Sequence, residues 1–395
     1  MIDVARARAD TPAVQHLIHL NNAGASLMPA PVTEAMLAYL RDEAALGGYE
    51  TARLHHAALE RVYTAAAQLL NAQPDEIAFV ENATRAWDLA FYSLDLKAGD
   101  RIITSHAEYS SNFIAMLQVQ RRSGAQIVVI PDDENGQIDL QALEAAIDSR
   151  TKLIAITHMP STGGLVNPAE AVGQIASRHG VLYLLDACQS VGQRVVDVQA
   201  IQCDFLSVTG RKFLRGPRGT GLLYVRRERI AEVEPALLDT HAATWTSRDT
   251  FTIRQDARRF ENWEQNFVGK VGLGTAIDYA LQWGAAAIQE RVQRLADALR
   301  DRLLEVPGVV IADQGIERSG IVTFVPGSAN PYALRDALAK AGVNVSVSPR
   351  DYTLLDFEAR RLPDLVRASV HYYNTEQELD LFVERLADFL RGRET

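Results

Sequence analysis

Two stretches, VLYLLDACQSVGQ at 181–193 and CDFLSVTGRKFLRGPRGTGLLYV at 203–225, decide how this chain folds. In the first, apolar side chains run without alternation up to Asp186, the pattern of a strand buried on both faces. In the second, FLSVT reads as the next strand, and the basic loop behind it carries Lys212. Ligands of open α/β sheets collect at the C-terminal ends of the strands, so Asp186 and Lys212 are expected to point into one crevice. Singly, Asp186 reads as an N-cap or turn residue and Lys212 as a solvated lysine; the pairing carries the information. Gly216, Pro217, Gly219 and Gly221 form a turn between two strands, which is not a dinucleotide motif because no helix opens there.

Outward from these stretches, IAFV, RIITS, AQIVVI, KLIAITH and GLLYV alternate with amphipathic segments such as 110–122 and 168–179. The pattern predicts an α/β fold with a mostly parallel sheet covered by helices on both faces. Residues 29–46 and 53–71 have helical spacing and are separated at Gly47-Gly48-Tyr49, while 269–304 reads as one long helix. The runs GVVIA, GIVTFV and VNVSVS, a helix at 331–341, a strand near 366–370 and a terminal helix beginning with a Thr375/Glu378 capping box predict a smaller α+β unit. The expected organisation is an N-terminal segment 1–28, a large domain 29–284 and a small C-terminal domain 285–395.

The 395 residues are 47% hydrophobic, with 50 acidic against 40 basic side chains and a net charge of -10. That field repels nucleic acid and anionic membranes, so neither is expected as a partner. No apolar run reaches membrane-spanning length and no secretory signal opens the chain, so a soluble protein is expected. Cys188 and Cys203 are too few for a disulfide framework, which favours the cytoplasm. His106, His158, His241 and His371 lack a shared ligand spacing, and no metal is expected.

An amine at one strand end and an acid at the neighbouring one are what pyridoxal 5'-phosphate needs: a lysine for its aldehyde and a carboxylate to keep its ring nitrogen protonated. At these residues the chain resembles the class V aminotransferase family of fold type I, which includes cysteine desulfurases, C–S lyases and isopenicillin N epimerase-like enzymes. The resemblance runs from HLNNAGAS at 19–26 through ENATRA at 81–86 and AEYSSN at 107–112 to VRASVHYYNTEQELD at 366–380. It implies that Lys212 joins the cofactor and later acts as the base, Asp186 pairs with the ring nitrogen and Gln189 contacts the phenolic oxygen. Tyr109 stands where relatives place a stacking aromatic or histidine, and Ser161 where an Asn near the phenolic oxygen is common. Ala83 and Thr84, opening a helix, match the phosphate site together with Thr209 and Arg211, the last in place of a usual His. Arg367 is implied to hold the substrate carboxylate, with Asn22, Tyr49 and Arg350 as further substrate contacts; Tyr352 and Trp263 are also expected in the lining. A homodimer acting on a small amino acid is the implied assembly.

The stretch GVNVSVSPRDYTLLD at 342–356 matches the loop where desulfurases carry their nucleophilic cysteine, and it has none. The nucleophile's place falls near Asp351, and Ser346 replaces an arginine. β-Elimination, epimerisation and transamination remain, all beginning with loss of the α-proton to Lys212. A β-eliminating C–S lyase on a cysteine-derived substrate is favoured, because GASLMPAPV and LGGYE resemble hercynylcysteine sulfoxide lyases. An aminotransferase or amino-acid epimerase is the alternative. A non-catalytic cofactor-binding homologue is a third reading, against which the retained Lys212, Asp186, Gln189 and Arg367 argue.

Overall fold

Short runs of Ile, Val and Leu form seven strands: β1 (Ile77–Val80), β2 (Arg101–Ser105), β3 (Gln126–Ile130), β4 (Thr151–Thr157), β5 (Leu182–Asp186), β6 (Phe205–Thr209) and β7 (Gly221–Val225). The computed structural model, which describes residues 2–392, places them in one sheet in the order β1-β7-β6-β5-β4-β2-β3. Strands β2 to β6 pair in parallel, whereas β7 is antiparallel to both β6 and β1. The connection from Thr209 to Gly221 is too short for a crossover helix, so the chain must turn back on itself. That reversal leaves Lys212 on a tight loop at the C-terminal edge.

Successive residues of each strand enter opposite cores. Ile102, Leu184 and Phe205 pack with Trp87 of α4 (Ala83–Phe91) and Met116 of α5 (Ser110–Ser123). Ile103, Leu185 and Leu206 face a larger core, which includes residues of α3 (His56–Leu70), α6 (Ala169–His179) and α7 (Phe267–Trp283). A strand with apolar residues at every position is thus explained by two covered faces. Before α3, helix α1 (Ala30–Leu46) stops at Gly47, whose φ of 95° only glycine adopts easily, and α2 (Gly48–Leu54) resumes at once. The separation expected at Gly47-Gly48-Tyr49 is therefore a change of direction between helices. The long helix expected over 269–304 is likewise two, α7 and α8 (Ala285–Leu304), broken at Gly284 with φ 82°.

The C-terminal unit is a four-stranded antiparallel sheet of β8 (Val309–Ile311), β9 (Ile321–Pro326), β10 (Ser346–Ser348) and β11 (Leu365–Ser369), in the order β8-β9-β11-β10. Helices α9 (Pro331–Lys340), α10 (Leu354–Arg360) and α11 (Glu376–Leu390) complete it, and Thr375 and Glu378 form the expected capping box on α11. The N-terminal segment is bound to this unit: Ile18 and His19 pair in parallel with Val343 and Asn344, and the Ser369 amide donates to Leu20 at 2.7 Å. Asp313, held by the buried Arg300 at 2.9 Å, accepts the Gly164 amide at 3.1 Å. The loop after β4 is thereby tied to the C-terminal unit. Among the described residues no helix is long and apolar enough to cross a membrane.

Close packing of α6 on the 198–201 turn sets a test of this layer. A Cβ added to Gly173 would lie 1.7 Å from the Ile201 carbonyl oxygen, whereas one added to Gly163 meets nothing within 4 Å. Gly173→Ala is expected to destabilise the protein by about 3 kcal/mol, against under about 1 kcal/mol for Gly163→Ala, because backbone cannot move aside cheaply. Urea denaturation of both variants measures the difference.

Candidate active site

The C-terminal ends of β1, β2, β4, β5 and β6 surround a cavity of about 360 Å³ lined by Asn82, Ala83, Thr84, Tyr109, Asn112, Thr157, Met159, Ser161, Asp186, Cys188, Gln189, Thr209, Arg211 and Lys212. Each arrives for a local reason. Asn82 caps α4 by accepting from the Arg85 amide at 2.9 Å, so the first amides of that helix open toward the cavity with Ala83 and Thr84. Arg211 donates to the Thr209 hydroxyl at 2.9 Å, which fixes a cation beside that helix end. Tyr109 is the N-cap residue of α5 and lies half-buried in the wall.

Asp186 terminates β5 with both oxygens held: the Cys188 amide donates to Oδ1 and the Asn112 side-chain amide to Oδ2, each at 2.9 Å. Lys212 is 9% exposed, and burial lowers its ammonium to about 8, with Arg211 and Arg367 pushing the same way. A fraction of the amine is therefore neutral near pH 7, as a base must be. Gln189 donates Nε2 to the Ala23 carbonyl at 3.1 Å, leaving Oε1 without a partner, and the Ser161 hydroxyl also has none. Buried polar atoms left open inside a cavity are the signature of a site built for a polar ligand.

Arg367 is 6% exposed on β11 and donates to the Ser161 carbonyl at 2.7 Å and to Asn21 Oδ1 at 3.3 Å, while its Nε has no acceptor. The carboxylates nearest in sequence are engaged elsewhere, Asp364 with Tyr332 and the Arg350 amide, and Glu376 with Arg302. A buried guanidinium with only neutral partners is poised for an anion.

None of the four expected substrate contacts is among the residues lining this cavity: Arg367 meets its wall through the Ser161 carbonyl, and the other three lie elsewhere. Asn22 is saturated internally, donating to the Ser369 carbonyl at 2.7 Å and accepting from Tyr373 at 2.5 Å; it opens a turn closed by the Gly24 and Ala25 amides on the Asn21 carbonyl, and Asn21, before that turn, meets Arg367 instead. Arg350 is exposed and paired with Glu358 at 2.6 Å. Tyr49 and Trp263 line a separate cavity of about 460 Å³. Tyr352 lies within electrostatic reach of Tyr109 and Arg367. Glu108, Asn112, Thr157 and Asn21 were not singled out from the sequence; the four-residue spacing of Glu108 and Asn112 in AEYSSN was the available signal. Cys188 borders the cavity and Cys203 is fully buried, and burial pushes both thiols up. Among the described residues no three His, Cys, Asp or Glu side chains gather as a metal set.

Comparison with known proteins places this geometry in a family. The sequence model of the family Aminotransferase class-V matches residues 18–382. A probable cysteine desulfurase of Methanothermobacter thermautotrophicus is 30% identical over 391 residues, covering 96% of each chain. A cysteine desulfurase of Salmonella choleraesuis is 31% identical over 402 residues, covering 97% of each. The apo structure of a cysteine desulfurase from Thermococcus onnurineus superposes with a TM-score of 0.92 at 27% identity, covering 99% of each chain.

The lowered Lys212 makes the cofactor-free protein's stability depend on pH. Its folded form loses a proton near 8 while the unfolded lysine holds one to about 10.5, so stability rises with pH between those values. Lys212→Met is expected to stabilise the cofactor-free protein by roughly 1–3 kcal/mol at pH 7, the gain shrinking toward zero near pH 11. Urea melts across that range measure it.

Proposed function

This chain belongs to the aminotransferase class-V family, and on that premise we propose that it is a pyridoxal 5'-phosphate-dependent C–S lyase that β-eliminates a cysteine-derived amino acid. The observation carrying the reading is a buried lysine at the sheet edge, no cysteine in the segment 342–356, and at the cavity border only the Cys188 thiol, which burial holds protonated. The segment 342–356 supplies β10 and the start of α10 but no cysteine. Cys203 is sealed in the core, and Cys188 is held at the strand end beside Asp186, its thiol pushed up by burial when sulfur transfer needs a thiolate.

The residues present fit the cofactor. The amides opening α4 at Ala83 and Thr84, with Thr209 and Arg211, would hold its phosphate; Asp186 would hold the ring nitrogen; Ser161 and Gln189, with open polar atoms, would meet the phenolic oxygen. Tyr109 would cover a ring face and Lys212 would hold the aldehyde. When bound, the cofactor supplies an electron sink for the substrate's α-carbon. Asp186, a carboxylate already fixed from two sides, would keep the ring nitrogen charged. Lys212, as a free amine, would take the α-proton at Nζ. Arg367 grips the α-carboxylate with two parallel donors and so orients the α-hydrogen toward Lys212.

A panel of amino acids and cysteine conjugates, assayed separately for pyruvate, ammonia and the amine form of the cofactor, tests the reaction. Equal amounts of pyruvate and ammonia are expected, in the wild type and in a Cys188→Ala, Cys203→Ala variant alike. Accumulation of the amine form without pyruvate would establish an aminotransferase instead. Inversion at the α-carbon without either product would establish an epimerase, and loss of turnover with loss of a protein persulfide would restore sulfur transfer.

Arg367→Lys tests the carboxylate site. A lysine offers a point charge in place of a fork, so kcat/KM is expected to fall about a hundredfold while cofactor affinity changes little. Unchanged kinetics would move the carboxylate to another residue.

A further inference from the structure

Glu108 follows β2, two residues before α5 begins, and is 3% exposed. It has no cationic partner among the described residues; its neighbours are hydrogen-bond donors. Oε1 accepts from the Thr157 hydroxyl at 2.7 Å, Asn112 Nδ2 at 2.8 Å and the Tyr109 amide at 3.0 Å, and Oε2 accepts from the Thr104 hydroxyl at 3.1 Å. Asn112 Nδ2 has a second N–H, and it goes to Asp186 Oδ2 at 2.9 Å. One side-chain amide thus joins two carboxyls, and both its protons are spent.

We propose that Glu108 is a positioning residue for the cofactor pocket: it fixes Asn112 so that one N–H is committed to Asp186, and it fixes the Tyr109 backbone so that the phenol ring stays in the cavity wall. The inference rests on Asp186 as the partner of the ring nitrogen. Acceptor-only chemistry explains the choice of residue. Asn112, the Tyr109 amide and two hydroxyls all donate toward one point, and a carboxylate accepts from all of them without offering a proton back.

The same geometry couples the site to pH. Burial, helped by the Asp186 charge on β5 and opposed by the hydrogen bonds from Thr157, Asn112 and Tyr109, raises Glu108 to about 7. Tyr183, also on β5, is the other titratable group that interacts with it, while Thr104 of β2, Thr157 of β4 and Asn112 of α5 are uncharged. Above its raised value Glu108 is an extra negative charge one amide away from Asp186, which favours a protonated ring nitrogen. Below that value the charge is gone. Because the folded carboxyl holds its proton to higher pH than the unfolded one, Glu108 lowers stability as pH rises from about 4.5 to 7.

Two variants separate geometry from charge. Glu108→Gln keeps the shape and the Oε1 acceptor but removes the charge; Glu108→Ala removes both. On the purified holoenzymes, the cofactor's dissociation constant, its visible absorption against pH and the kcat/KM split are measured, with melting of the cofactor-free proteins from pH 5 to 8. Glu108→Ala is expected to bind cofactor about tenfold or more weakly and to lose kcat more than to raise KM. Glu108→Gln is expected to bind within about threefold of wild type, to shift the absorption titration by about half a pH unit or more, and to gain stability over wild type as pH rises. If Glu108→Ala does not fold, Asn112→Leu carries the affinity test, with the same loss expected. Wild-type affinity in Glu108→Ala or in Asn112→Leu, or a wild-type absorption titration in Glu108→Gln, overturns the proposal. Asp186→Asn is the control: if it alters the absorption while the Glu108 variants do not, the positioning role alone falls, and if it alters nothing, the ring-nitrogen assignment falls as well.

Discussion

Two cations, Lys212 on the loop at the edge of the large sheet and Arg367 on β11 of the smaller one, are buried where the two units meet, and the arrangement of the surrounding polypeptide follows from holding them there. Burial lowers both, Lys212 to about 8 and Arg367 to about 10, and neither has a carboxylate hydrogen-bonded to it. Uncompensated buried charge is unfavourable, so it persists only where a large core over-determines the position. The sheet with its two apolar cores is that support. The open atoms at Ser161, Gln189 and Arg367 mark the same economy among the described residues: the Ser161 hydroxyl and the Arg367 Nε–H are left for a ligand oxygen, and Gln189 Oε1 for a ligand donor.

The loop bearing Lys212 needs its own restraint, because it leaves the sheet at β6 and must return at β7. Arg215 supplies it. With φ 58° and only 1% exposure, it donates to the Leu27 carbonyl at 2.8 Å, the Thr11 hydroxyl at 2.6 Å and the Tyr372 hydroxyl at 2.8 Å, and its guanidinium sits 4.5 Å from the Tyr373 ring centroid. The N-terminal segment and the stretch after β11 thus close over the turn beside Lys212. Ser26 adds a further tie by donating its amide to the Arg211 carbonyl at 2.9 Å. The N-terminal segment, with only short helical turns at Val4–Ala9 and Pro12–Gln15 and the paired Ile18–His19, thus bridges the two sheets through Arg215 and Ser369.

Much of this was legible locally. An apolar run ending in Asp186, and a second ending before Lys212, specify buried parallel strands whose ends share an edge, and the capping box at Thr375 is a three-residue pattern. What escaped depended on longer range or on facing. Pairing of Ile18 with Val343 joins residues more than 300 positions apart, and nothing in either segment names its partner. Asn21 is a bridge residue and Asn22 begins a turn, a difference that two adjacent asparagines do not show in sequence, so the family motif indicated the place but not the residue that reaches Arg367. Tyr49 and Trp263 share a cavity of their own because α2 and the turn before α7 approach each other away from the sheet edge. Glu108 stayed hidden because an acid beside a helix start ordinarily reads as a capping residue.

The choice between sulfur transfer and elimination turns on reach. A lysine poised to move the α-proton makes the leaving sulfur available in either case; its fate depends on whether a thiolate stands nearby or the sulfur departs with its own substituent. The loop between β10 and α10 is the segment that could deliver such a group, and it is committed otherwise: Thr353 hydrogen-bonds Thr162, Arg350 pairs with Glu358, and Asp351 is exposed. Thr162 is the neighbour of Ser161, whose carbonyl Arg367 holds. The loop therefore braces the contact between Arg367 and Ser161, closing from the C-terminal unit onto the strand-end loop after β4. Under the lyase reading proposed above, that bracing would help fix a substrate rather than deliver a sulfur acceptor, so the same first proton transfer would end in a different bond cleavage.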